Sequence, residues 1–179
     1  MRFLQDFLDR SKQLNQTPTV SRYPAYHGPT SKYKIIHQGL MIPGLPAPLY
    51  YLNFLSIIGQ PNAPMLANPS AIETTALDTA TVICSSSPHM VGQLHHYSVT
   101  QDCHFKSGLF QFLDREQLSG NFPNFRLQRS DSELSFDLNI QTTQLISHFT
   151  QMRFSLADHW SLLCHCQGTV SYKAQQYTI

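Results

Sequence analysis

Between residues 134 and 141 the side chains alternate without interruption: Leu134, Phe136, Leu138 and Ile140 are large and apolar, while Ser135, Asp137, Asn139 and Gln141 are polar. A period of two places the first set on one face of an extended strand and the second set on the other. The preceding "FRLQ" and the turn-rich "RSDS" at 129–132 make 132–141 the second arm of a β-hairpin. Further strands are predicted at 33–40, 49–58, 74–85, 93–100, 108–113, 143–150, 160–166 and 169–174, with Pro, Gly, Asn and Ser between them. This regular spacing predicts an all-β fold, an antiparallel lipocalin-like barrel or strongly curved sheet, because closing a single meander removes the exposed edges that promote aggregation.

The pattern changes towards the N-terminus. Residues 1–14 place Phe3, Leu4, Phe7 and Leu8 on one side of a short amphipathic helix. Residues 15–32 hold Pro18, Pro24, Gly28 and Pro29 and read as an extended arm, leaving 33–179 for the barrel. The proline-rich stretches 41–48 and 59–70 read as loops over a barrel end. Near the C-terminus Val170, Tyr172 and Ala174 alternate with Thr169, Ser171 and Lys173. A strand still running so close to Ile179 points to the N-terminal half of a larger architecture.

Composition narrows the function classes. The 179 residues suit one domain, and 41% apolar residues can build a core. Only 13% are charged, about half the usual share. Twelve basic and eleven acidic residues are scattered without runs, so no basic face is available for nucleic acid or an anionic membrane. The longest apolar run, 48–59, is too short to insert across a bilayer, which takes ~20 residues. Asp6 and Asp9 interrupt the region where a secretory signal needs an apolar core, so a cytoplasmic location and four reduced cysteines are expected.

Three clusters carry candidate chemistry. In "HWSLLCHC" at 159–166, strand parity sends Trp160, Leu162, Cys164 and Cys166 to one face and His159, Ser161, Leu163 and His165 to the other. The potential ligands therefore diverge, and the stretch is read as a core strand with no metal. In "QLHHYS" at 93–98, His95 and Tyr97 share the more apolar face and, with Trp160, are the candidate wall of a ligand cavity. The third set, His148, Asp158 and His159, contains an imidazole and a carboxylate of the kind used in general acid–base catalysis, although adjacent residues of a strand point apart. No phosphate loop, nucleophile elbow or zinc helix occurs, and no cofactor is expected.

Two stretches, "PAPLYYLNFLSIIGQPNAP" at 46–64 and "SHF…DHWSLLCHCQGTVSYK" from 147 to 173, resemble an uncharacterised bacterial family of lipocalin-like proteins. That family is distantly similar in architecture to the carotenoid hydratases and their double-barrel relatives. The resemblance covers the first of two barrel-like halves. It implies a lipocalin-like fold and an apolar small molecule, of lipid or isoprenoid type, as ligand. Two other readings stand beside binding: a hydratase or isomerase acting on such a molecule, and a structural half-barrel that needs a second barrel domain or self-association.

Overall fold

The structure, a computed structural model, describes residue 5, residues 22–60 except 25, residues 69–151 except 73 and 88, and residues 158–179. The side chains of 89–93, 150, 151 and 158 lie outside that description. Of the expected helix at 1–14 only Gln5 is described, so that element lies outside the described residues, as does most of the loop at 59–70.

Eleven strands form two antiparallel sheets among the described residues. The smaller is the meander β1 (Ile36–Pro43), β2 (Tyr51–Ile58), β3 (Thr79–Ser86) and β4 (His89–Ser98). The larger runs in sequence order from β5 (Cys103–Lys106) and β6 (Leu109–Phe112) through β7 (Glu116–Asn121), β8 (Asn124–Arg129) and β9 (Leu134–Gln151) to β10 (Asp158–Tyr172) and β11 (Gln175–Thr178). Neither sheet closes on itself, so the antiparallel all-β fold expected from strand spacing is present, and two open meanders stand in place of the single barrel or strongly curved sheet. The turn after β4 explains the break. Asp78 accepts hydrogen bonds from Ser98 Oγ at 2.7 Å and Thr100 N at 2.9 Å, and Asp102 accepts from Ser98 N at 2.9 Å. These bonds turn the chain out of the first sheet before β5 begins, and β5 pairs with β6 alone.

Alternation decides which face is buried. On β2 the inward residues Leu52, Phe54, Ser56 and Ile58 are buried and the intervening ones partly exposed. On β9 Leu134, Phe136, Leu138 and Ile140 are buried, as their period of two requires. Phe54 of the first sheet meets Phe136 of the second edge-on, with ring centroids 6.4 Å apart. Burying each such side chain contributes about 1.5–3 kcal/mol. The predicted strands 132–141 and 143–150 are one long strand, β9, and 160–166 and 169–174 merge into β10. Leucine, cysteine and threonine continue both ladders where the sequence offered no clear alternation, with register shifts at His159/Trp160 and Leu162/Cys164. The stretch 41–48 is a loop only in part, since β1 extends to Pro43 at a sheet edge, where a missing N–H costs no ladder bond. Among the described residues no helix is long and apolar enough to cross a membrane.

Gly168 lies within β10 at φ 156°, and a Cβ there would stand 2.1 Å from the Asp137 carbonyl oxygen of β9. Backbone cannot yield as a flexible side chain would. Gly168→Ala is therefore expected to cost more than about 2 kcal/mol in urea unfolding. An unchanged midpoint would show that the β9–β10 ladder does not require this close approach.

Candidate functional site

The two sheets meet at a cluster of charged and polar side chains built around a buried ion pair. Glu116 at the start of β7 and Arg129 at the end of β8 are register partners, 1% and 3% exposed. Both stand on the inward phase of their strands, with Leu118 and with Phe125 and Leu127. Arg129 Nη1 donates to Glu116 Oε1, and Nε donates to the Leu134 carbonyl at 3.0 Å. The first sheet completes the cluster. Tyr97 donates its hydroxyl proton to Glu116 Oε2 at 2.6 Å, and His95 Nδ1 lies 2.8 Å from Glu116 Oε1. Arg129 Nη1 also reaches Cys84 Sγ of β3 at 3.3 Å. Towards solvent, Asp131 Oδ2 lies 3.6 Å from Arg129 Nη2 and 3.9 Å from His95 Nε2.

The electrostatics follow from this enclosure. Burial raises the pKa of Tyr97, and its hydrogen bond to the Glu116 carboxylate raises it further, so the phenol stays protonated as the donor. Burial pushes Cys84 up to about 12 against the opposing pull of Arg129, so it remains a thiol rather than a nucleophilic thiolate. Arg129, Tyr97 and His95 each bring Glu116 a donor or an imidazole able to donate, a pattern that stabilises a buried pair.

A file of aromatic contacts leads away from this cluster. Tyr97 faces Phe112 at 5.8 Å, Phe112 faces Phe105 at 5.4 Å, and Phe105 faces Phe110 at 5.4 Å. Tyr26 of the arm packs on Phe110 at 5.1 Å and Phe122 at 5.8 Å, and Phe122 reaches Trp160 at 6.1 Å. The sequence candidates therefore occupy two places. His95 and Tyr97 come together on Glu116, with rings 6.2 Å apart, and Trp160 stands half-buried at the far end of the file.

The third candidate set is not assembled as a unit. His148 faces inward beside Ile146, whereas His159 is exposed on the outer face against His37 at 4.8 Å and Phe149 at 4.9 Å. Asp158 opens β10 opposite Gln151, and its side chain is outside the described residues. Leu162, Cys164 and Cys166 are half-buried on the Trp160 side, while Ser161, Leu163 and His165 are exposed. Burial raises Cys164 and pushes Cys166 up to about 11, so both pack as protonated thiols. Among the described residues no three His, Cys, Asp or Glu side chains converge in a way that would hold a metal ion.

Several buried polar atoms have no hydrogen-bond partner among the described residues: Tyr26 Oη, both amide atoms of Gln38, Ser56 Oγ, Ser86 Oγ and His148 Nδ1. Gln38 and Ser56 are register partners on the inward faces of β1 and β2. Sequence parity carried a signal for the missed residues as well. Glu116, Arg129, Gln38 and Ser56 all stand in phase with apolar neighbours on their strands, where a polar side chain has to be buried.

The chain belongs to a family of unknown function, DUF6670, whose sequence profile matches residues 55–179. No curated protein and no solved structure matches it. The matched region contains Cys84, His95, Tyr97, Glu116, Arg129 and Trp160 and omits β1 and the arm.

The cluster makes a quantitative prediction. Glu116→Ala leaves Arg129 buried without its carboxylate and is expected to cost about 3–5 kcal/mol. Arg126→Ala removes a surface pair to Asp137, whose side chains are 52% and 40% exposed, and is expected to cost under about 1 kcal/mol. Urea unfolding of both variants checks the contrast, and equal losses would contradict it.

Proposed function

We propose that this protein binds a largely apolar small molecule, of lipid or isoprenoid type, in the aromatic-lined interior between its sheets. The observation that carries this reading is the set of buried, partnerless polar atoms on inward positions: Tyr26 Oη, the Gln38 amide, Ser56 Oγ and His148 Nδ1. Each such group costs about 1–3 kcal/mol if it stays unsatisfied. A ligand with an apolar body and one or two hydrogen-bonding groups would satisfy them while lying along the rings of Trp160, Phe122 and Tyr26. The resemblance of 46–64 and 147–173 to lipocalin-like proteins supports the same class of ligand.

The Glu116 cluster is the frame of this site rather than its contact surface, because its own hydrogen bonds are largely satisfied within the protein. His95 and Tyr97 then act on the ligand chiefly by holding the sheets together, and Trp160 forms wall.

Stability and binding are expected to move in opposite directions. Gln38→Leu with Ser56→Ala removes unsatisfied groups, so the ligand-free protein should be as stable as the parent or more so, by up to about 1–2 kcal/mol. The same change should weaken binding of a fluorescent polyene fatty acid, read as quenching of Trp160, the chain's single tryptophan. Native mass spectrometry of the purified parent should show a co-purified molecule of this class. A destabilised double variant with unchanged quenching, or no saturable quenching in the parent, would overturn the reading.

A further inference from the structure

The outer face of the larger sheet carries a second and chemically different feature. Successive registers align Gln111 with Gln117, Gln117 with Gln128, Gln128 with Asp137, and Asp137 with Thr169. One straight row of hydrogen-bonding side chains thus crosses β6, β7, β8, β9 and β10. Adjacent strands lie ~4.8 Å apart, so the row is roughly 19 Å long.

This row lies in a groove of about 420 Å³, to which Ser130, Ser135 and Ser171 add hydroxyls. All five ladder residues are half-buried; in the next row Arg126, Asn139 and Gln167 are exposed, while Leu109 and Ser119 on β6 and β7 are half-buried. The sheet face is therefore recessed along the ladder across β8, β9 and β10. A solvated face without a groove would show both rows equally open.

The geometry points to a binding site for a neutral, extended oligosaccharide in this groove. Three carboxamides and four hydroxyls each offer a donor and an acceptor, the complement of the vicinal hydroxyls on a sugar ring. The strand spacing presents one such group for about each ring of an extended glycan. Charge in the lining balances, in keeping with a neutral ligand: Asp137 is held by Arg126 Nε at 2.8 Å and Nη2 at 2.5 Å and by Gln128 Nε2 at 3.3 Å, Glu116 pairs with Arg129, and the exposed Asp114 and Arg115 add one charge of each sign. Leu113, 48% exposed at the rim, adds an apolar contact for ring C–H groups. The ladder side chains stand on the opposite strand phase from Glu116, Arg129 and Phe136, which also line the groove, so the groove adjoins the Glu116 cluster.

The test is nuclear magnetic resonance of the full chain, following the side-chain carboxamide signals of Gln111, Gln117 and Gln128. The probes are the hexaoses of cellulose, xylan, chitin and mannan at millimolar concentration, with an unstructured neutral peptide of similar length. Saturable shifts are expected with at least one hexaose, weakened about tenfold or more in Gln117→Ala with Gln128→Ala. The backbone amide spectrum of the same sample shows whether the variant is folded; should it not be, Thr169→Val, which keeps side-chain volume, replaces it with the same expectation. No shift with any hexaose, shifts undiminished in a folded variant, or shifts with the peptide alone would overturn the proposal.

Discussion

A carboxylate with no access to water has to find its hydrogen bonds inside the protein, and Glu116 finds them on both sheets. Arg129 comes from the neighbouring strand of its own sheet, and Tyr97 and His95 come from β4 of the other. Apolar faces alone would allow the sheets to slide or rotate with little change in buried area, because hydrophobic attraction is not directional. Hydrogen bonds of 2.6 and 2.8 Å between them do not permit this. The position of the smaller sheet on the larger is thus set at one end of the interior by chemistry that tolerates little displacement.

The other end is built differently. Tyr23 stacks on Phe122 at 4.7 Å and Tyr26 packs edge-on against Phe125 at 5.2 Å, so the arm is held over the larger sheet by aromatic contacts. Those contacts are less directional than a charged hydrogen bond, and among the described residues Tyr26 Oη and the Nδ1 of His148, the register partner of Trp160, are left without partners. The Glu116 cluster is held by hydrogen bonds, and the region of Tyr26, Phe122 and Trp160 by ring contacts. This asymmetry is what the proposed binding function uses: a rigid frame at Glu116 keeps the distant wall of Trp160 and Phe122 in place without itself contacting the ligand.

The fold was legible in the sequence wherever one face of a strand was wholly apolar and the other wholly polar. Residues 134–140 are the clearest case, and the inward side of Tyr97 and of Trp160 followed from the same parity. Closure was not legible, because the break between β4 and β5 depends on side-chain bonds from Asp78 and Asp102 to a turn, which leave no trace in hydrophobic periodicity. The short strands β5, β7 and β11 were missed because each holds only one or two apolar side chains in four to six residues, too few for an alternation to show. The charge cluster was half legible. His95 and Tyr97 were found as inward polar groups, while Glu116 and Arg129 were passed over, although each is a charged residue on the apolar phase of its strand. The partner of a buried charge lies across a register that only the folded sheet reveals.

The claim that Glu116 joins the sheets is tested most directly by a double-mutant cycle across them, combining Glu116→Gln with Tyr97→Phe and measuring unfolding free energies in urea. A hydrogen bond between the two sheets predicts a coupling energy of about 1 kcal/mol or more. Losses that add to within about 0.3 kcal/mol would show that Tyr97 and Glu116 act independently, and that something other than this contact sets how the sheets are docked.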